Sequence, residues 1–130
     1  AYEVGTTRVR PVKPNTIAKS LAIGNPADGY YSLKVIEDSH GDATIVPEEE
    51  VVEGIQLLAE NEGIFTETAG GVVISGLKRL VERGAIKRDE VTGAYITGNG
   101  LKTIEAVEEL VNPIHISPTM TAFHEQIPNP

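Results

Sequence analysis

The sequence contains no cysteine and no tryptophan, and aromatic residues make up only 5% of its 130 residues. The absence of cysteine excludes disulfide bonds, thiolate catalysis and cysteine-ligated zinc sites. No apolar run approaches the ~20 residues that a membrane-spanning helix needs, and the first residues lack the basic-then-apolar pattern of a secretory signal. We therefore expect a soluble cytoplasmic chain with no membrane partner.

Positive charge is also scarce, since 11 Lys and Arg face 19 Asp and Glu, for a net charge of −8. The basic residues are scattered, whereas binding to a phosphate backbone requires clustered Lys and Arg. His40, His115 and His124 lie far apart and have no carboxylate at ligand spacing. The acidic run 48–50 fits a first helical turn, where it complements the helix dipole without any ion. We expect neither a nucleic-acid partner nor a metal site.

The length fits about one domain on the usual scale of ~100–200 residues per domain. Apolar residues make up 40% of the chain, and 13 Gly and 8 Pro indicate a globular domain with many turns. The chain starts without an initiator Met, which suggests that it begins inside a longer protein. We divide it into an extended lead-in (1–14), a partial α/β domain (15–111) and a proline-rich coil tail (112–130).

Hydrophobic periodicity and turn residues predict an alternation of helices and strands within the central region. The predicted helices cover residues 17–23, 30–38, 47–60, 70–83 and 101–111. Short β-branched runs predict strands at residues 43–46, 64–66 and 94–97. Strands that alternate with helices are typical of parallel strands joined by right-handed crossovers. The sequence therefore predicts a three-layer α/β fold with a short parallel sheet.

The segment Thr97-Gly98-Asn99-Gly100 is the first candidate binding site. It follows a predicted strand and precedes a predicted helix, where open α/β sheets bind their ligands. Its two glycines would let the backbone approach a bound group closely, and the Thr97 hydroxyl can donate or accept a hydrogen bond. The alternative is an ordinary Asn-Gly hairpin turn.

The segment from Glu67 to Gly71 is the second candidate, again at a strand-to-helix junction. Its small residues would let a flat ligand lie against the backbone, and the free N–H groups of the helix start could bind an anion. The alternative is that Gly70 and Gly71 only permit tight helix packing, with Thr68 as the helix cap.

Three motifs in order resemble one enzyme family. They are Asn-Thr-Ile-Ala…Ile-Gly-Asn-Pro at 15–26, Glu-Gly-Ile-Phe-Thr-Glu-Thr-Ala-Gly-Gly at 62–71 and Thr-Gly-Asn-Gly-Leu-Lys at 97–102. Together they resemble the C-terminal part of the threonine synthases, which are pyridoxal-phosphate enzymes of fold type II. The likeness covers roughly residues 5–112. It implies that the chain is the C-terminal part of the large domain of such an enzyme.

The resemblance implies a lyase that converts O-phosphohomoserine and water into threonine and phosphate, with pyridoxal phosphate as the electron sink. In the family the hydroxyl of the Thr-Gly-x-Gly segment bonds the pyridine nitrogen, which implies a cofactor-binding role for Thr97, with Gly98 and Asn99 beside it. The family's Glu near the cofactor ring corresponds to Glu67. Many relatives have Pro-Ala-Ser where this chain has 68–70, Thr-Ala-Gly.

The family's Schiff-base lysine and Gly-rich phosphate loop lie upstream of the matched motifs, and no lysine of this chain has the Ser-Phe-Lys-Asp context. We therefore expect no catalytic residue in this chain, no pyridoxal phosphate bound to it alone and no activity of the isolated chain. The expected partner is a missing N-terminal part of the enzyme or another copy of the chain, in a homo-oligomer whose tail or edge strands cross between subunits. The alternative is a non-catalytic α/β module that acts by binding or self-association.

Overall fold

The computed structural model describes residues 1–110 and 114–127. Within this part the chain forms four α-helices and two short 3-10 segments. The α-helices are α1 (Gly29–Asp38), α2 (Glu48–Glu62), α3 (Thr68–Glu82) and α4 (Met120–Gln126), and the 3-10 segments are Lys19–Leu21 and Gly100–Ala106. No helix in the described residues is long and apolar enough to cross a membrane.

Helix α2 begins and ends where its local signals predict. Pro47 occupies the N-cap position with φ −61°, and three glutamates fill the first turn, where their charge complements the helix dipole. At the other end Gly63 adopts the left-handed conformation with φ +67°, and its N–H donates to the Ala59 carbonyl at 3.0 Å. The predicted helix at this position is confirmed.

Helix α3 begins at Thr68, two residues before the predicted start. It ends just before Gly84, as predicted. Gly84 has φ +76°, a conformation that side chains disfavour. The Gly84 N–H donates to the Val81 carbonyl at 3.0 Å, and the Ala85 N–H donates to the Leu80 carbonyl at 2.9 Å. These two bonds form a Schellman motif that satisfies the last carbonyls of the helix.

Helices α2 and α3 pack against each other through glycines. A Cβ added at Gly54 would overlap the Gly71 carbonyl oxygen, and one added at Gly71 would overlap the Val51 carbonyl oxygen. The Ser75 hydroxyl also donates to the Glu50 carbonyl across the interface, at 2.5 Å. Because both backbones approach to a distance that only glycine permits, the two helices are locked in one register. Within residues 1–110 and 114–127 the buried hydrophobic side chains are Ala18, Val51, Ile55, Leu58 and Val107.

The predicted three-layer α/β fold with a parallel sheet is wrong. In the described residues the β-structure is one isolated antiparallel bridge between Thr66 and Asn99, and the runs 43–46 and 94–97 form no strand. High β-propensity reflects the fit of branched side chains to a half-buried surface, and another element can supply that surface. The methyl groups of Thr44 and Val46 lie 3.6 and 3.7 Å from where a Cβ of Gly76 would be, so α3 supplies it here.

Two predicted helices are shorter or less regular than expected. The helix predicted over 17–23 is reduced to the 3-10 turn Lys19–Leu21, which follows a bond from the Ala18 N–H to the Thr16 hydroxyl at 3.1 Å. The segment then leaves the helical path, since the Gly24 carbonyl accepts a bond from the Val12 N–H at 2.9 Å.

The helix predicted over 101–111 is a 3-10 segment in the described residues, and residue 111 lies outside them. Thr103 interrupts it with φ −138° and ψ 44°. Its hydroxyl accepts a hydrogen bond from the Thr68 N–H at 3.2 Å, so the break brings this side chain to the start of α3.

The tail contains a helix where the prolines predicted only coil. Helix α4 begins after Thr119, whose hydroxyl accepts a bond from the Ala122 N–H at 3.2 Å. The predicted tail residues 112, 113 and 128–130 lie outside the described part. Large apolar side chains of α4 and α1 are exposed, among them Tyr31, Val35 and Met120, each with about two thirds of its surface accessible (66, 64 and 67%).

Candidate functional site

The two candidate segments lie in direct contact, although no sheet joins them. The Gly98 carbonyl accepts hydrogen bonds from the Thr66 hydroxyl at 3.0 Å and from the Glu67 N–H at 3.2 Å. The Gly100 N–H donates to the Phe65 carbonyl at 3.0 Å. The turn at 97–100 is therefore fixed against the start of α3 mainly by its own backbone.

Both glycines of this turn are required by close contacts. A Cβ at Gly98 would overlap the Glu67 carboxylate, and one at Gly100 would lie 2.5 Å from the Phe65 ring. Neither glycine has positive φ, and Asn99 has φ −85° and ψ 143°. The primed hairpin turns need positive φ at one or both central residues, so a two-residue Asn-Gly hairpin turn is excluded. The contact with Glu67, which sequence spacing could not show, explains the glycine at 98.

Thr97 and Asn99 differ in how their side chains are used. The contacts that hold the turn are made by Gly98, Asn99 and Gly100, while Thr97 is exposed, so its hydroxyl is accessible to a ligand. The Asn99 Oδ1 accepts a bond from the Leu101 N–H at 2.9 Å and caps the 3-10 segment. The side-chain oxygen of Asn99 thus stabilises the turn, whereas the Thr97 hydroxyl stays available.

Glu67 is buried beside the turn, and its carboxylate lies against Gly98. Its side chain is 7% exposed, and its Oε2 lies 2.8 Å from the Nζ of Lys102, whose side chain is 64% exposed. Sequence reasoning missed Lys102 as a site residue, although it ends the third family motif. No signal along the chain pairs an exposed lysine with an acid 35 positions earlier, because the turn alone brings them together.

The small residues at the start of α3 serve packing. A Cβ at Gly70 would overlap the Thr66 side chain, and Gly71 faces α2. Thr68 is not the helix cap, since Glu67 occupies that position and makes no side-chain cap bond. Thr68 is nevertheless fully buried, and its hydroxyl has no hydrogen-bond partner in the described residues. A buried hydroxyl without a partner is uncommon in proteins.

Comparison with known proteins assigns the chain to a family. Residues 2–98 match the family described as "Pyridoxal-phosphate dependent enzyme", and the chain belongs to that family. The matched segment includes Glu67, Thr97 and Gly98, and it ends before Asn99, Gly100 and Lys102.

Several relatives that match are threonine synthases, which confirms the resemblance. The chain is 44% identical over 111 residues to the threonine synthase of Methanocaldococcus jannaschii, an alignment that covers 85% of this chain and 27% of the relative. It is 42% identical over 90 residues to that of a Bacillus species (strain ULM1), covering 69% and 26%, and 35% identical over 114 residues to that of Halalkalibacterium halodurans, covering 88% and 31%. The chain thus spans about a quarter to a third of the relatives it matches.

The residues present fit one edge of pyridoxal phosphate. The Thr97 hydroxyl, on an exposed residue, suits a pyridine nitrogen. The space beside Gly98 and Gly100 is taken by Glu67 and Phe65, so these glycines serve the packing of the turn. The lysines do not offer the family's Schiff-base motif, and Lys102 is engaged by Glu67. In the described residues no group of three His, Asp or Glu side chains is placed to hold a metal ion.

Proposed function

We propose that this chain forms one wall of the cofactor site of a threonine synthase, which converts O-phosphohomoserine and water into threonine and phosphate. The observation that carries the proposal is the exposed Thr97 on a turn that Gly98 and Gly100 hold against Glu67 and Phe65. The identity to threonine synthases of three organisms supports the choice of substrate.

Pyridoxal phosphate, when bound, supplies an electron sink for negative charge that develops on the substrate carbon. In this proposal the Thr97 hydroxyl donates a hydrogen bond to the ring nitrogen and orients the ring. A neutral hydroxyl leaves that nitrogen largely unprotonated, unlike an Asp partner. Glu67 supports the turn from its buried side, and Asn99 fixes the backbone that carries Thr97.

The remaining parts of the site come from elsewhere in this proposal. The Schiff-base lysine and the phosphate loop are supplied by an N-terminal part of the enzyme, because another copy of this chain carries neither; a second copy would only cover exposed surface. The exposed apolar side chains of α1 and α4 support such a partner, because large uncovered apolar surface is typical of interaction sites. Light scattering across a dilution series tests self-association, and a compact monomer that is unaffected by deletion of residues 113–130 would contradict it.

A chimera tests the proposed activity. This chain replaces the matching segment of the Methanocaldococcus jannaschii threonine synthase, and the purified protein is assayed for phosphate and threonine from O-phosphohomoserine. We expect turnover, with the unmodified relative as the positive control. A folded chimera that binds pyridoxal phosphate but releases neither product would refute the proposal.

The isolated chain is expected to be inactive, because it lacks the covalent anchor and the phosphate contacts. Mixed with pyridoxal phosphate, it should show no visible absorption band that borohydride removes. Appearance of such a band would show that one of its own lysines binds the cofactor. The six lysine-to-methionine variants would then identify which one.

Replacing Thr97 by Val in the chimera should damage catalysis more than folding. The change removes the hydroxyl and keeps the side-chain shape, and a lost hydrogen bond of this kind costs at most ~0.5–1.5 kcal/mol of stability. We expect kcat to fall about tenfold, while Thr97→Ser, which keeps the hydroxyl, stays near the parent. Unchanged kinetics in Thr97→Val would mean that Thr97 does not face the ring nitrogen.

A further inference from the structure

We propose that Lys102 is a positioning residue: its ammonium holds the buried Glu67 carboxylate beneath Gly98 and so sets the Thr97 hydroxyl at the ring nitrogen of the cofactor. The inference rests on the proposed function for the role of Thr97. The contacts that define the arrangement belong to this chain alone.

The ion pair determines whether the Glu67 carboxylate can stay buried. Lys102 Nζ lies 2.8 Å from Glu67 Oε2, and it is the charged partner that the described residues give this carboxylate. A buried carboxylate without a partner is strongly unfavourable, since the protein interior solvates its charge poorly. Removing the ammonium therefore favours movement of the Glu67 side chain toward water.

The Glu67 carboxylate in turn supports the turn at Gly98. It fills the space that a Cβ of residue 98 would occupy, so the main chain of Gly98 lies directly on it. Thr97 is the next residue along the backbone. A carboxylate that moves leaves a gap under Gly98, and the Thr97 hydroxyl loses its fixed position.

Lys102 also closes the turn from its far end. Its backbone N–H donates to the Asn99 carbonyl at 3.2 Å, and its side chain reaches back to Glu67. The residue thus connects the last part of the turn to the start of α3. The bonds from Thr66 and Phe65 hold the backbone of residues 98 and 100, whereas the ion pair fixes the group on which Gly98 lies.

A double-mutant cycle in the chimera tests whether Lys102 acts through Thr97. We expect Lys102→Met to lower kcat about three- to tenfold with little change in KM, the size of effect that one misplaced hydrogen bond produces. In the Thr97→Val background Lys102→Met should cause no further loss, because the hydroxyl that it positions is already gone. Lys102→Arg should restore most of the activity.

The matched control is Lys87→Met, which removes an exposed lysine far from the turn in sequence and should leave kcat unchanged. A residue that only stabilises the fold would lower activity equally in both backgrounds. Additive losses in the cycle, or a Lys102→Met variant with parental kinetics, would overturn the inference even if the chimera is active. A chimera without turnover would instead overturn the proposed function and, with it, the cofactor role of both residues.

A second measurement needs no activity and uses the 130-residue chain itself. Hydrogen exchange followed by NMR reports the Glu67 and Gly100 amides, which bridge the turn to the start of α3. Both should exchange about three- to tenfold faster in Lys102→Met and at the parental rate in Lys102→Arg and Lys87→Met. Unchanged exchange in Lys102→Met would contradict the positioning role. If Lys102→Met does not fold, the variant Glu67→Gln/Lys102→Met removes both charges and should fold with fast exchange at these two amides.

Discussion

The α2–α3 pair and the two outer helices contrast in how they use apolar and small residues. Between α2 and α3 the backbones touch at Gly54 and Gly71, and Val51 and Ile55 are buried. On α1 and α4, large apolar side chains such as Tyr31 and Met120 are exposed. The comparison shows that α2 and α3 are held together by close backbone contact and need few large side chains between them. The candidate site lies at the start of α3, next to this closely packed pair.

The largest expected effect comes from breaking the inner pair with Gly71→Ala. The added Cβ would overlap the Val51 carbonyl oxygen and would also lie 2.8 Å from Ile55. Overpacking of this kind costs ~1–3 kcal/mol, and backbone oxygen cannot move aside as a side chain can. We expect a lower midpoint of chemical unfolding, measured by circular dichroism.

Gly76→Ala is the matched control on the same helix. Its Cβ would meet only Thr44 and Val46 at ordinary contact distances of 3.6 and 3.7 Å. Because alanine favours a helix over glycine by ~0.5–1 kcal/mol, this variant should be as stable as the parent or more so. Equal destabilisation by both substitutions would show that the backbones of α2 and α3 are not in close contact.

A smaller effect on stability should follow from Gly98→Ala. This change tests whether the turn of the candidate site can be disturbed without disturbing the α2–α3 pair. The Cβ would overlap the Glu67 carboxylate, so either the turn or this carboxylate must shift, while α2 and α3 keep their contact. We expect less than ~1 kcal/mol change in unfolding free energy but about tenfold faster exchange of the Glu67 amide. Gly93→Ala, where nothing lies within 4 Å, is the control. Cooperative loss of helix in Gly98→Ala would contradict this separation.

The smallest expected effect is a loss of folding stability at low pH. Hydrogen bonds from the Thr16 side chain and the Ile17 N–H lower the pKa of Glu48 below its usual range. The Ala43 N–H, followed by the Tyr2 hydroxyl and the Arg83 guanidinium, lowers the pKa of Asp42 in the same way. A lowered pKa in the folded state stabilises the fold above the unfolded-state pKa, and this stabilisation is lost as the pH falls through the folded-state pKa.

Protonation of both carboxylates should therefore lower the stability of the fold as the pH falls from ~5 to ~3. Glu48→Gln should reduce stability slightly at pH 6, and its difference from the parent should shrink toward zero in acid. Urea unfolding at several pH values measures this difference. Glu53→Gln, on an exposed position of the same helix, is the control. A difference that grows on acidification would contradict the assignment for Glu48.

The ends of α2 and α3 could be predicted because their signals are local. Pro47 before the first turn, Gly63 and Gly84 after the last turns and the acidic run 48–50 each determine the conformation of neighbouring residues. The family resemblance could also be predicted from the sequence, because three motifs in order, the last of them at 97–102, carry it. These predictions need no knowledge of what lies across from each segment.

The sheet and the reason for the glycines could not be predicted, because both depend on contacts between distant segments. A short β-branched run such as 43–46 forms a strand only when another strand pairs with it, and here α3 contacts the side chains of Thr44 and Val46 instead. Gly98 was interpreted through its conformational freedom, whereas the structure shows that the Glu67 carboxylate occupies the space a Cβ would need there. The ion pair to Lys102 depends on the same fold of the turn.

The contact between Gly54 and Gly71 also bears on how this sequence can change over generations. Most buried positions tolerate small steps in volume, such as Val to Ile, with a partial loss of stability. At these two positions even the smallest side chain meets a backbone oxygen, so no intermediate step exists. Variation in this pair is thus confined to other positions of α2 and α3, and the start of α3, which carries the contacts to the turn, keeps its place.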